Sequence, residues 1–291
     1  MEQFDPLTTT TWLAEHLQDP DLRIVDIRGY VKKKDLGDGR QEAEYTGARD
    51  EYEDSHIPGA VYVDWTSDIT DPDDPVPAQL APPERFAALM GALGVGDGTR
   101  VVVYDHAGTQ FATRLWWALT FYGHDRVSVL DGGWKKWTAE GRPTTSEVPA
   151  PEPATFTPRP RSEWRATAEE VLAAGENGAA FVLDARDAGQ YTGAITRGAG
   201  RPGRVPGAAH LHADTLFEEG GTFRSKEELE QKLREAGVPE DRDEPVVAYC
   251  NGGVAATVPL FAMHRLGYKN LANYDGSWNE WGTREDLPAE K

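Results

Sequence analysis

The sequence predicts an α/β protein built from two copies of one unit, each a mainly parallel sheet flanked by helices, and three observations support this. Short apolar runs alternate with stretches of helical periodicity, the pattern of strands crossing over through helices into a mainly parallel sheet. Segments of the first half recur in the second, in the same order and at an offset of about 145 to 160 residues, as a duplicated unit would give. Between the halves lies GRPTTSEVPAPEPATFTPRPRSEW, a proline-rich stretch suited to an extended, stiff connector. The expected organisation is a first domain over 1–145, a linker over 146–165 and a second domain over 166–291.

The elements follow in matched pairs. IVDIR around Asp26 and Arg28 answers VLDAR around Asp184 and Arg186, each an apolar run with an acidic end that reads as a buried strand entering a loop. HIPGAVYVDW from His56 answers RVPGAAHLHAD from Arg204, and LDGGWKKW from Leu130 answers YDGSWNEW from Tyr274. VVVYDHAG around Asp105 answers VVAYCNGG around Cys250. Pro82 and Pro83 precede a helix carrying Phe86, Leu89 and Met90, and the spacings Thr167 to Glu170 and Ser225 to Glu228 are capping boxes that start two further helices.

Composition narrows the function. The chain has 291 residues, 39% of them hydrophobic, with nine Trp, ten Tyr and nine Phe, enough apolar material for two folded cores. Its 49 acidic and 30 basic residues leave a formal charge of −19, which repels nucleic acid and anionic membrane surfaces at long range. One cysteine allows no internal disulfide and no multi-cysteine zinc site. No run reaches transmembrane length and the start lacks a basic segment followed by an apolar core, so a cytoplasmic location is expected.

Cys250 is the candidate nucleophile. It stands between the strand-like run Val246 to Tyr249 and the helical spacing of Val258 to Leu266, at the carboxyl end of a strand where α/β folds gather their active loops. Loop N–H groups and the positive end of a helix dipole stabilise an anion there. A lone cysteine also serves as a small packing residue, and the flanking Gly252 and Gly253 favour the reactive reading. The loop of Asn251, Gly252, Gly253, Val254 and Ala255 is the candidate anion cradle. The first copy places Asp105 where the second has Cys250, so only the second half has a thiol to use.

Two tandem copies with aspartate in the first loop and cysteine in the second, HIPGA in the first copy and DGGW or DGSW after each loop: this combination resembles the two-domain rhodanese family. The resemblance spans essentially the whole chain. It implies a sulfurtransferase in which Cys250 takes sulfane sulfur from a donor, becomes a persulfide, and passes the sulfur to cyanide or a thiol by double displacement. Thiosulfate is the expected donor because the loop carrying Arg197, Arg201 and Arg204 suits a dianion. 3-Mercaptopyruvate is the alternative donor, and a persulfide carrier or interaction module without turnover is a further alternative. No cofactor and no metal are called for, and the partners implied are a small sulfur donor and a cyanide or thiol acceptor, the latter including protein thiols.

The cysteine loop reads CNGGVA, whereas thiosulfate-type loops of the family carry basic residues, as in CRKGVT, and mercaptopyruvate-type loops read CGSGVT. Cations for an anionic donor are therefore expected elsewhere: Arg186, and Arg197 ahead of Arg201 and Arg204 in a glycine-rich loop. The family's substrate-contacting arginine falls here at Gln190. His56 is a candidate for the substrate site across the domain interface, or else a turn histidine fixing the PGA bend. Asp184 reads as a structural partner of Arg186. His210 and His212 alternate as on a strand, without the further ligands a metal site needs. Cysteine phosphatases share the strand-loop-helix geometry but need arginine where this loop has Ala256.

Overall fold

The structure, a computed structural model, describes residues 6–106, 110–198 and 200–291. Ala107 and Gly108 of the first copy's loop, and Ala199 beside the candidate arginines, lie outside the described residues. The first half forms a five-stranded parallel sheet in the spatial order Leu7–Thr8, Val127–Leu130, Arg100–Tyr104, Leu22–Asp26, Ala60–Tyr62. The second half repeats it strand for strand with Arg165–Ala166, Leu271–Tyr274, Val246–Tyr249, Phe181–Asp184 and Ala209–His210. Each sequence match thus marks an equivalent strand or strand end, and the duplication extends to buried side chains. Tyr104 donates to Asp26 at 2.6 Å and Tyr249 donates to Asp184 at 2.6 Å.

Both capping boxes are present, at Thr167 with Glu170 and at Ser225 with Glu228. The helix Pro83–Ala92 begins at its proline, whose missing N–H costs nothing in a first turn. From 146 to 161 the chain has neither helix nor strand. It runs along the first half instead, where Ala154, Arg159 and Arg161 donate N–H bonds to Gly91, Tyr122 and Phe121. These bonds satisfy backbone groups that an irregular segment would otherwise leave to water.

The halves share one apolar core. Helix Gln110–Phe121 of the first half is buried at every residue after Gln110 and packs on helix Thr257–Arg265 of the second. Trp116 meets Phe261 edge to face at 4.9 Å, and the hydroxyls of Thr113 and Thr257 are 2.8 Å apart. Burial of this extent on both helices stabilises the interface chiefly through apolar area removed from water. The two helices follow the matched loops at Asp105 and Cys250, so docking them brings both loops to the interface.

A second connection crosses the halves. The antiparallel hairpin of strands Gly29–Gly37 and Arg40–Gly47 projects from the first half, and its second strand pairs in parallel with Thr196–Arg197 of the second. The three-stranded sheet that results closes one side of a cleft between the halves.

Candidate active site

Cys250 ends the buried strand Val246–Tyr249, whose apolar side chains face helices on both sides, and helix Thr257–Arg265 begins after the loop. The thiol residue is only 3% exposed, yet it lines a cleft of about 160 Å³ that opens to solvent. It forms part of the wall that a small molecule in the cleft would meet. Asn251, Gly252, Val254 and Ala255 share the lining.

The loop's shape is fixed from beneath. Ser277 accepts N–H bonds from Cys250 and Gly253, each at 3.0 Å, and donates its own hydroxyl proton to the Tyr274 carbonyl at 2.7 Å. Trp278 and Asn279 donate backbone N–H bonds to the carbonyls of Cys250 and Asn251. Gly253 has φ +71°, and a Cβ there would approach Asp275 Oδ1 to 2.6 Å, so this position admits only glycine without strain. Among the described residues, the N–H groups of Asn251, Gly252, Val254, Ala255 and Ala256 have no protein acceptor. Unpartnered amides at a helix N-terminus beside a cleft form an anion-binding concavity.

The first copy shows what such a loop holds. Asp105 accepts N–H bonds from Phe111 and Ala112 at 3.0 and 3.2 Å, so a carboxylate occupies the N-terminus of helix Gln110–Phe121. A negative group at that position is stabilised by the helix dipole and the unpaired amides. In the second copy the shorter side chain of Cys250 takes none of these N–H bonds, which leaves the amides available.

From the first half, Arg114 reaches under the same loop. Its Nη1 donates to the Gly253 carbonyl at 3.2 Å and to Asp275 Oδ1 at 2.5 Å, and its Nη2 donates to the Ala78 carbonyl at 2.9 Å. Asn273 Nδ2 also donates to Gly253 at 2.9 Å, while Arg165 Nη2 lies 3.1 Å from Asp275 Oδ2. Sequence reading did not single out Arg114, Asn273, Asp275 or Ser277. DGSW, which contains two of them, carries the one available signal.

The structure sorts the expected cations. Arg186 borders the cleft, but Nε and Nη2 are bonded to Asp184, Nη2 also donates to the Gly203 carbonyl at 2.9 Å, and the guanidinium lies 4.4 Å over Trp278. Burial acts against its charge, Asp184 acts for it, and the net effect holds its proton more tightly than usual. Arg186 is thus a charge-balanced part of the cleft wall, with its guanidinium already engaged by Asp184 and the Gly203 carbonyl. Arg197 does reach the cleft, 3.6 Å from Asp187. Gln190 stands between the cysteine loop and Arg197: in one amide orientation its oxygen accepts from Asn251 Nδ2 at 3.0 Å, and in the other it accepts from Arg197 Nη2 and Nε at 2.9 and 3.0 Å. Arg201 bonds the Trp281 and Leu287 carbonyls, and Arg204 pairs with Glu290, so both hold the C-terminal segment.

His56 lies apart from the cleft, in the setting of the turn histidine that was the other expectation for it. It is fully buried, its ring nitrogens face the Tyr52 and Glu147 carbonyls at 2.6 and 3.1 Å, and it is absent from the cleft lining. It fixes the turn and the start of the connector. His212 lines the cleft beside Asp214 at 3.5 Å, whereas His210 bonds the Arg186 carbonyl. Among the described residues no three His, Cys, Asp or Glu side chains stand together as metal ligands, and no helix is long and apolar enough to cross a membrane.

A duplicated α/β unit with one cysteine in a strand-to-helix loop, opening onto a cleft between the copies, defines a class of transferase that carries its cargo on a thiol. The rhodanese-like domain profile matches residues 9–140 and 167–284, and the chain belongs to the rhodanese family as a rhodanese-type sulfurtransferase. It is 35% identical to the 3-mercaptopyruvate sulfurtransferase of Escherichia coli K12, over 96% of this chain and 95% of that one. It is 34% identical to the thiosulfate sulfurtransferase of Gallus gallus, over 94% and 92% respectively. A sulfur carrier protein, TtuD of Thermus thermophilus, is 32% identical over 98% of this chain and 96% of its own length. The crystal structure of the Escherichia coli 3-mercaptopyruvate enzyme SseA superposes with a TM-score of 0.82, at 31% identity over 94% of this chain and 98% of that one.

Proposed function

We propose that the protein transfers sulfane sulfur from thiosulfate to cyanide or a thiol through a persulfide on Cys250. The observation that carries this reading is the single thiol on the wall of the cleft, beside loop amides that, among the described residues, have no protein acceptor. In the first half-reaction the Cys250 thiolate attacks the outer sulfur of thiosulfate. A sulfur–sulfur bond forms at the cysteine, the donor's own sulfur–sulfur bond breaks, and sulfite leaves with its electron pair. In the second, the acceptor attacks the outer sulfur of the persulfide and takes it up as thiocyanate or a new persulfide, while the bond to Cys250 breaks and its electron pair returns to the Cys250 thiolate. The amides of Asn251, Gly252, Val254, Ala255 and Ala256 offer a fixed field for the anions of both steps. Gln190 and Arg197 form the cleft wall that a donor's charged end would meet.

In this reading the first copy does no chemistry of its own, since Asp105 stands where the second copy has its thiol and accepts the Phe111 and Ala112 N–H groups. It supplies one wall of the cleft. A reducing cytoplasm suits a lone thiol that must return to its reduced state each cycle.

A second reading, transfer from 3-mercaptopyruvate, is favoured by the likeness to the Escherichia coli enzyme of that name. The test is turnover with thiosulfate and cyanide against turnover with 3-mercaptopyruvate and a thiol, for the native chain and for Cys250→Ser. Thiocyanate formation that depends on Cys250 and outpaces mercaptopyruvate turnover supports the thiosulfate reading, and comparable rates overturn the preference. Persulfide formation without turnover of any small acceptor assigns a carrier role instead.

A further inference from the structure

The cysteine loop carries no cation and the charge of Arg186 is balanced by Asp184, so the positive side of the cleft must come from other elements. The cross-domain hairpin supplies one. Its register pairs Lys32 with Glu44, Lys33 with Ala43 and Lys34 with Glu42. Side chains alternate faces along a strand, so Lys32 and Lys34 share one face and each has a glutamate directly opposite. Lys33 lies on the other face, with Val31 and Tyr45, and all three of these line the cleft that contains Cys250.

Opposite charges directly across an antiparallel pair attenuate one another. Lys33 has alanine as its cross-strand neighbour, and among the described residues no carboxylate forms an ion pair with it. The acidic side chains of the same cleft have other nearby groups, since Asp187 lies 3.6 Å from Arg197 and Asp214 lies 3.5 Å from His212. In a chain of net charge −19, Lys33 places an ammonium with no cross-strand carboxylate on the wall of the cleft that holds Cys250. The hairpin's position is also set by the second half. Thr196 donates its N–H to the Gly39 carbonyl at 2.7 Å, Gly198 donates to Gln41 at 3.1 Å, and Arg197 pairs in register with Gln41. One sheet therefore places both Lys33 and Arg197 on the cleft.

We infer that Lys33 is the specificity-determining cation for the donor, drawing small anionic sulfur compounds into the cleft and holding their charged end while Cys250 reacts with the sulfur. This rests on the proposed transfer reaction for its biological meaning, but the charge effect is measurable without it. Iodoacetate and iodoacetamide alkylate the same thiol and differ in that the first is an anion.

The experiment measures the second-order rates of Cys250 alkylation by both reagents in the native chain, Lys33→Gln and Lys32→Gln, at low and high salt. Lys33→Gln should lower the iodoacetate rate about five-fold, the scale of one partly solvated charge interaction. Its iodoacetamide rate should stay within about two-fold of native, and the iodoacetate effect should shrink in high salt. Lys32→Gln removes the same charge from the opposite face and should change neither rate appreciably. In turnover, Lys33→Gln should raise the thiosulfate KM by a similar factor with kcat nearly unchanged. An iodoacetate-to-iodoacetamide ratio equal to native in Lys33→Gln overturns the inference, as does an equal loss in Lys32→Gln. A selective fall in that ratio, in a chain that does not turn over thiosulfate, upholds the cation and defeats the thiosulfate reading.

Discussion

Arg114 of the first half and Asp275 of the second form an ion pair at 2.5 Å, with side chains only 2% and 1% exposed. The pair lies directly beneath the cysteine loop, because the same Arg114 nitrogen also donates to the Gly253 carbonyl. Asp275 accepts the Leu80 N–H at 3.0 Å through its other oxygen, so it joins three segments that are distant in sequence. The copy without a thiol therefore helps shape the loop of the copy that has one.

Arg114→Met tests that dependence. Removing one member of a buried pair leaves the other charge uncompensated, at a cost of about 3 to 5 kcal/mol, and Arg165 moderates this by remaining beside Asp275. A fall in the urea midpoint accompanied by a lower kcat is expected. Unchanged stability would show that the pair contributes little.

Ser277→Ala removes the acceptor shared by the Cys250 and Gly253 N–H groups. Two buried donors left unpaired should cost about 2 kcal/mol or more. Because the loop then loses its fixed shape, kcat should fall more than KM rises, as steady-state kinetics on the folded variant would show. A variant altered only in KM would place Ser277 in donor binding.

Asp105→Ala removes the carboxylate that caps helix Gln110–Phe121. Loss of such a cap typically costs about 1 kcal/mol, seen as a lower thermal midpoint. Sulfur transfer per folded molecule should remain near native, and a large loss would assign the first copy a chemical role.

Stability should also fall on mild acidification. Burial lowers the proton affinity of His264, which lies against Trp116 and Trp164, so the folded state favours its neutral form. An unfolded histidine binds a proton near pH 6.5. As pH falls below that value the unfolded chain takes up protons that the folded chain resists, so the contribution of His264 is present above about pH 6.5 and is lost on the acid side. His264→Leu should reduce the difference between urea midpoints measured at about pH 7.5 and about pH 5.5. An identical difference in the variant would exclude His264 as a source.

The fold was legible because the duplication preserved strand ends together with their loops. Asp26 and Asp184, and Asp105 and Cys250, mark equivalent positions in two sheets of the same strand order. Cys250 was legible from its setting between a strand and a helix. Arg114 was not, because its partners Gly253 and Asp275 lie 139 and 161 residues away in the other half, and a single arginine in an apolar helix carries no sign of them. Lys33 was hidden inside a run of three lysines that reads as a solvated surface until the hairpin register separates its faces. Arg186 and His56 were legible only in part. Their motifs point to a site, but Asp184 and two backbone carbonyls already occupy the groups that a donor would have used.

The most direct measurement is the intact mass of the protein after brief exposure to thiosulfate, with the modified residue located by peptide mapping. The expected result is the gain of one sulfur atom on Cys250, lost again when cyanide is added and thiocyanate appears, and absent in Cys250→Ser. A native chain that forms thiocyanate while Cys250 never acquires sulfur, or a serine variant that forms it at the native rate, would contradict the persulfide mechanism.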